Sequence, residues 1–347
     1  IYDWIIKKFS NPQIDINKPV PSIHTLIKQF KVSKATVEKA FVKLVEDGVL
    51  KGEQGRGYFP VPLMQRPGNI DLAIGPTESI FSKYGYHSII FSGIAQGATE
   101  IRKDLKIVSS LCLKDQESSL KWDNYFSRKN TLGIIVFNIF LDPILVKLRD
   151  LQFPTVCVDF DSSCYGIDCI ITDSRKDAFE ITDEIIKLGH KKIFIVVGNL
   201  SEKGICIDPD HIKRLEGYKE ALGKNNIPFD DNLLFWHQNS VHTGERGTFL
   251  TKRIKETGAT ALILDTEEVR NIEKFTDTLL KIDIGVIGDI DTFLPEERKG
   301  ITVSYLYNFY QMGKKSIYML KERIERGHGK ANVEILKPHI KRTPPKR

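Results

Sequence analysis

From Ile70 onward, short runs rich in β-branched residues alternate with amphipathic stretches almost to the end of the 347-residue chain. No other pattern in the chain narrows the possible folds as far. The runs Ile70 to Ile74, Lys106 to Leu111, Gly133 to Phe137, Thr155 to Asp159, Cys169 to Thr172, Lys192 to Val197, Ala261 to Leu264, Ile284 to Ile287 and Ile301 to Ser304 predict strands. Helical spacing between them predicts helices over Tyr86 to Arg102, Gln116 to Arg128, Pro143 to Leu151, Arg175 to Leu188, Pro209 to Asn225, Thr243 to Thr257, Glu267 to Lys281 and Phe309 to Arg326. Strands without a polar alternation must be buried on both faces, so they belong to parallel sheets covered by helices. Such a stretch, about 270 residues long, exceeds the needs of one sheet. The expected class is therefore α/β with two parallel-sheet, Rossmann-like lobes.

Several chemistries lack their sequence signatures. No G-x-G-x-x-G follows a strand, and there is no P-loop, nucleophile elbow or H-E-x-x-H, so no cofactor and no catalytic residues are expected. The five cysteines (Cys112, Cys157, Cys164, Cys169, Cys206) form no C-x-x-C pair and no metal-ligand spacing with histidine, which points to a reducing, cytoplasmic setting and no structural metal. No apolar run reaches the ~18 residues that span a bilayer, and Ile1 to Phe9 lacks the long apolar core of a signal peptide.

The net charge of +6 is unevenly placed. Residues 1–66 carry nine Lys and two Arg against six Asp and Glu, or +5, which leaves the rest of the chain nearly neutral. A small basic module on a neutral body suggests that polyanion binding is delegated to the N-terminus. There, Tyr2 to Phe9 reads as a first helix. A second opens after Ser22 with Ile23, Leu26, Ile27 and Phe30 at helical spacing. A third opens after Ser33 with Val37, Ala40, Phe41, Leu44 and Val45 as its stripe. Both serines are N-cap types, the turn between the helices is short, and Gly48 suits a helix C-terminus. Val49 to Gly52 and Gly57 to Pro60 read as two short strands, completing the winged helix-turn-helix order. A linker over 61–69, rich in proline, separates this domain (1–60) from a larger one (70–342), and 343–347 forms a basic tail.

Pro21-Ser22, Val-Ser-Lys-Ala-Thr-Val at 32 to 37, Leu-Val-Glu-Asp-Gly at 44 to 48 and Gly-Arg-Gly-Tyr-Phe at 55 to 59 resemble the GntR family of bacterial transcription regulators. The resemblance implies that the third helix enters the DNA major groove with Ser33, Lys34, Thr36 and Lys39. Ser22 would support it, and Gln54, Gly55, Arg56 and Gly57 would form the wing contact. His24 and Glu38 depart from the arginines that many members carry there.

The larger domain resembles the effector domain of LacI/GalR regulators, with the two-lobed fold of periplasmic sugar-binding proteins. The anchors are Leu-Gly-His-Lys-Lys-Ile at 188 to 193, Arg-Leu-Glu-Gly-Tyr at 214 to 218, Ile-Thr-Val at 301 to 303 and Met312-Gly313. A GntR-type head on a LacI-type sensor is the arrangement of arabinose-responsive repressors. It implies a dimeric regulator of operator DNA whose small-molecule effector, expected to be a monosaccharide, binds in a cleft beyond the carboxyl ends of the strands. The alternative is a sugar- or nucleotide-processing enzyme fused to an autoregulatory DNA-binding module.

The resemblance assigns Arg214 to the effector as a two-pronged donor to adjacent ligand oxygens; an ordinary salt bridge is the competing role. Asp265, at a strand end, is read either as an acceptor for vicinal hydroxyls or as a helix cap. Asp289 is favoured over Asp291 as a second carboxylate because it lies nearer its strand. Tyr84 and Tyr86 stand where a stacking aromatic is expected, with ordinary packing as the other reading. His237, Asn239 and His242 lie near another such position and are not assigned.

Overall fold

The computed structural model describes residues 1–9, 14–74, 86–109, 131–137, 142–200, 209–238, 246–265, 269, 276–288, 301–327 and 329–344. Helices α1 (Tyr2–Phe9), α2 (Ile23–Phe30) and α3 (Lys34–Glu46) lead into the antiparallel hairpin β1 (Leu50–Glu53) and β2 (Gly57–Pro60). This is the winged helix expected. Ile5, Val20, Leu26, Val37, Phe41, Leu44, Val49 and Leu50 form its core, and the Phe41 and Tyr58 rings meet edge to face at 4.6 Å. The serine caps are in place: the Thr25 amide donates to Ser22 Oγ at 3.1 Å and the Thr36 amide to Ser33 Oγ at 3.2 Å. Lys31 takes a left-handed conformation (φ 53°) to make the turn between α2 and α3, and Gly48 does the same (φ 65°) behind α3. One member of the expected stripe fails to bury: Val45 remains 40% exposed, because the contacts of α3 are completed by Val37, Phe41 and Leu44 on the adjacent arc.

Residues 61–69 hold a short 3₁₀ turn at Leu63–Gln65 and then Arg66, which is only 6% exposed. The Arg66 guanidinium donates to the carbonyls of Val61 and Phe9, and its own carbonyl accepts from Lys103 Nζ at 2.7 Å. Burial holds its pKa well below the usual arginine value, at about 10.

Beyond this segment the chain builds two six-stranded sheets. The first contains β3 (Asn69–Ile74), β4 (Asp104–Ser109), β5 (Thr131–Phe137), β6 (Thr155–Val158), β7 (Asp168–Ile171) and β13 (Val333–Ile335) in the order β13-β7-β6-β5-β3-β4, with β3 to β7 parallel. Its helices include α4 (Tyr86–Glu100), α5 (Asp142–Asp150) and α10 (Phe309–Arg326). The second contains β8 (Ile193–Leu200), β9 (Leu234–Gln238), β10 (Ala261–Asp265), β11 (Asp283–Ile287), β12 (Ile301–Leu306) and β14 (His339–Arg342), ordered β14-β12-β11-β10-β8-β9. All of its pairings are parallel except β12 with β14. Its helices include α6 (Ser174–Lys187), α7 (Pro209–Lys224), α8 (Arg246–Thr257) and α9 (Asp277–Lys281). Two compact units result. One holds the winged helix and the first sheet; the other holds the second. The chain passes between them after Ile171, returns at Tyr310 and leaves again after Glu334.

Every predicted strand is present within a few residues, and the structure adds β9, β13 and β14. All three are sheet edges. β14 is mostly exposed and polar, and β13 is only three residues long with its apolar Val333 and Ile335 exposed, so neither leaves the buried apolar run that marks the other strands. The predicted helix at Gln116 to Arg128 lies outside the described residues, as do Cys112 and Cys206. Cys157, Cys164 and Cys169 are free thiols. Among the described residues no helix is long and apolar enough to cross a membrane.

Helix α6 lies tight on α7 because Gly217 has no side chain: a Cβ there would stand 2.0 Å from the Arg175 carbonyl oxygen. The Gly217→Ala variant should therefore lose ~1–3 kcal/mol or more of unfolding free energy through overpacking. Gly223, on the same helix with nothing within 4 Å, is the control. Its alanine variant should gain ~0.5–1 kcal/mol of helix propensity. Urea unfolding of both variants measures the contrast.

Candidate functional site

The residues expected to meet DNA lie on exposed surface. Ser33, Lys34, Thr36 and Lys39 are exposed on α3, Ser22 caps α2, and Gln54, Gly55, Arg56 and Gly57 form the tip of the hairpin. Gly55 and Gly57 have φ of 75° and 106°, which the tight hairpin turn requires. Two of the cations make salt bridges within the module, Lys34 to Glu38 at 3.5 Å and Arg56 to Glu53 at 2.6 Å. At 73% and 69% side-chain exposure these are weak, exchangeable pairs. Glu38, a departure from the GntR pattern, thus holds the cation beside it.

In the second unit, a polar cluster gathers at the carboxyl ends of β8 and β10. Arg214, on α7, donates from Nη1 to Asp265 Oδ2 at 3.1 Å, with the two side chains 21% and 13% exposed. Two of the residues expected to bind the effector are therefore brought together, and the salt bridge that competes with ligand binding as a role for Arg214 is part of the same arrangement. The residues that Asp265 would cap, 266–268, lie outside the described ones.

His211, one turn before Arg214 on α7, joins the cluster. Its Nδ1 accepts from the Gly198 amide at 3.0 Å and lies 3.4 Å from Arg214 Nη1. Because both neighbours are donors, Nδ1 carries no proton. The ring fits only because Gly198 is a glycine: a Cβ there would stand 2.3 Å from His211 Nε2. Sequence reasoning ends this strand at Val197, just before Gly198, and misses His211. β8 in fact runs on to Leu200, and the available signal is the i, i+3 spacing of His211 and Arg214 on one helix face. Gly217 and Tyr218, in the same motif, are structural: Gly217 admits α6, and the buried Tyr218 hydroxyl donates to the Ile193 carbonyl at 2.8 Å.

Asp177, on α6, also escapes sequence reasoning. It is 2% exposed, and its Oδ2 has no hydrogen-bond partner among the described residues. Burial, with Asp173 and Glu180 nearby, pushes its carboxyl up to about 7, while Arg214 and Lys176 act in the opposite direction.

Tyr86 starts α4 and packs its ring on Phe309 at 5.2 Å. Tyr84, Asp289, Asp291, Asn239 and His242 lie outside the described residues, as does the side chain of His237. A cavity of about 1080 Å³ in the first unit is lined by Tyr2, Asp47, Arg66, Arg149, Arg323 and apolar neighbours. Its charges are engaged locally, Lys43 and Tyr2 with Asp47, Arg149 with Asp150 and Arg323 with Asp168, so the polar cluster of the second unit is the stronger ligand site.

Asp177 makes stability depend on pH. A carboxyl raised from 3.8 to about 7 by folding binds a proton that the unfolded chain has released, so its contribution to stability falls as pH rises through that window. Asp177→Asn should flatten the melting temperature against pH between about 4 and 7 and be the more stable protein at pH 8. Parallel melting curves for the two proteins would contradict this.

No family model matches the chain. It is 25% identical to the arabinose metabolism transcriptional repressor of Geobacillus stearothermophilus over 98% of this chain and 93% of that one. It is 25% identical to catabolite control protein A of Priestia megaterium over 69% of this chain and 74% of the relative. The crystal structure of the transcription regulator CcpA of Lactococcus lactis superposes with a TM-score of 0.62 at 21% identity, covering 80% of this chain and 98% of that one. With an exposed helix-turn-helix and a polar cluster at the strand ends of a fold like that of LacI/GalR regulators and periplasmic binding proteins, the chain is a ligand-responsive, DNA-binding transcription regulator.

Proposed function

We propose that the protein is a dimeric repressor that binds a two-fold operator through GntR-type winged helices and is controlled by a monosaccharide. The observation that carries the effector half is the Arg214–Asp265 pair at the carboxyl ends of the second sheet. A neutral sugar leaves water only if its hydroxyls find new partners, since each buried unpaired polar group costs ~1–3 kcal/mol. A guanidinium donating to one edge and a carboxylate accepting from another meet that demand. The resemblance to a repressor named for arabinose metabolism makes arabinose the first sugar to test. Tyr84, Tyr86 and Asp289 complete the proposed effector set.

The DNA half is supported by the helix, helix, helix, hairpin order over residues 1–60 and by the exposed Lys34, Lys39 and Arg56. The proposed division is a winged helix at 1–60, a connector at 61–69, an effector domain at 70–342 and a tail at 343–347. Effector and operator are then linked reciprocally, with a coupling of ~1–3 kcal/mol.

Two experiments test this reading. A melting screen against arabinose, ribose, galactose, glucose and nucleosides should identify a stabilising sugar, since a ligand at 100 times its Kd adds ~2.7 kcal/mol. Arg214→Ala should abolish most of that shift while operator binding persists and no longer responds to the sugar. Lys34→Ala and Arg56→Ala should each weaken operator binding and reduce the slope of log affinity against log salt by about 0.9 for every phosphate left without its cation. Unchanged slopes would remove these cations from the DNA interface.

A further inference from the structure

The second unit buries a carboxylate where packing alone gives it no use. On α7, Arg214 and Gly217 are three residues apart and so share a helix face. Gly217 sits against the Arg175 carbonyl and the Phe179 amide of α6, and Asp177 is a buried residue of that turn. The face that carries Arg214 is therefore pressed on the turn that carries Asp177, and the guanidinium is within electrostatic reach of the carboxylate. Arg214 nevertheless forms its ion pair with Asp265, while Asp177 Oδ2 is buried with no hydrogen bond among the described residues. A buried carboxylate oxygen without a partner destabilises a fold, and the neighbouring Asp173 and Glu180 add repulsion that Lys176 only partly offsets.

We propose that Asp177 is the second carboxylate partner of Arg214 and the positioning residue of the effector site: when hydroxyls of a sugar occupy Asp265, the guanidinium turns to Asp177 and is held there in register with the ligand. The inference rests on the effector site proposed above and deepens it. Two carboxylates beside one arginine let the guanidinium exchange one carboxylate partner for the other, while sugar hydroxyls donate to the carboxylate it leaves. Asp265 is then released as an acceptor for vicinal hydroxyls, and the site selects a polyol that donates to Asp265 and accepts from Arg214. An anionic ligand would gain nothing from this exchange, because it would compete with both carboxylates for the guanidinium. Asp177 would thus be kept at a cost to the ligand-free protein for the sake of the ligand-bound one.

The test uses the full chain and the probe arabinose, or the panel sugar with the largest melting shift if that is another. Calorimetric titration and ligand-free melting are run on the unaltered protein and on Asp177→Asn, Asp177→Ala and Arg214→Ala. The expected result is that both Asp177 variants melt at or above the unaltered protein without sugar, yet bind the sugar at least tenfold more weakly. A purely structural Asp177 would instead lower the ligand-free melting temperature and leave affinity unchanged in the better-folded variant, which overturns the proposal. Full affinity in both Asp177 variants with loss in Arg214→Ala also overturns it but leaves the effector site standing. Full affinity in all three variants, or no sugar bound by the unaltered protein, removes the effector site itself and this proposal with it.

Discussion

The tight approach of two helices in the second unit, Gly217 of α7 against the Arg175 carbonyl of α6, fixes the position of the groups that could recognise a ligand there. Because the contact involves main chain on one side and a missing side chain on the other, it leaves little freedom for sliding. One turn along α7 from that contact sits Arg214 and another part-turn back sits His211, so both inherit its precision. The first unit uses the same device. A Cβ on Gly93 of α4 would stand 2.0 Å from the Tyr310 carbonyl, and one on Gly313 of α10 would stand 2.0 Å from the Ile90 carbonyl. Each unit thus has a helix pair locked by glycine beside its parallel sheet.

Among the described residues, buried carboxylates are mostly saturated with partners. Asp168, 1% exposed at the start of β7, accepts from Arg323, Arg326 and the Asn332 amide, which ties the first sheet to the end of α10 and to the segment behind it. Asp283, 2% exposed, accepts from Thr302 at 2.5 Å and pairs with His190 Nε2 at 2.8 Å, while His190 Nδ1 lies 2.9 Å from Thr260. The Asp283 network joins neighbouring strands at the amino ends of the second sheet, opposite the Arg214 cluster. The saturation of both networks is what makes Asp177 an exception, since an unpartnered oxygen costs more in a low-dielectric interior than a complete network gains.

Arg66 connects the DNA-binding module to the body of its unit by a comparable logic. A guanidinium buried among carbonyls rather than carboxylates keeps its charge through hydrogen bonds to Val61 and Phe9, while Lys103 reaches its main chain. Residues 61–69 therefore have a defined course, although their composition of prolines and glycine shows no periodicity and reads as a plain connector. Composition reports what a segment cannot form by itself, and a side chain reaching back 57 residues is invisible to it.

The helices and strands themselves are legible in the order of the amino acids. Ser22, Ser33 and Gly48 bound the helices of the winged module because capping is local chemistry, and unbroken β-branched runs specify parallel strands because only burial on both faces tolerates them. The same local signals put Asp265 at the end of its strand and Arg214 in the second turn of its helix. Which groups meet is another matter, and packing alone settles it: Arg214 pairs with Asp265, 51 residues away, His211 fits because Gly198 leaves room, and Asp177 is driven into the interior beside a helix it does not touch in sequence. The edge strands β13 and β14 belong to the same class, being held by main-chain bonds that carry no side-chain signature. Local propensity and periodicity are written residue by residue along the chain, whereas these contacts arise from how α6, α7, β8 and β10 come together, and that is a property of the whole unit.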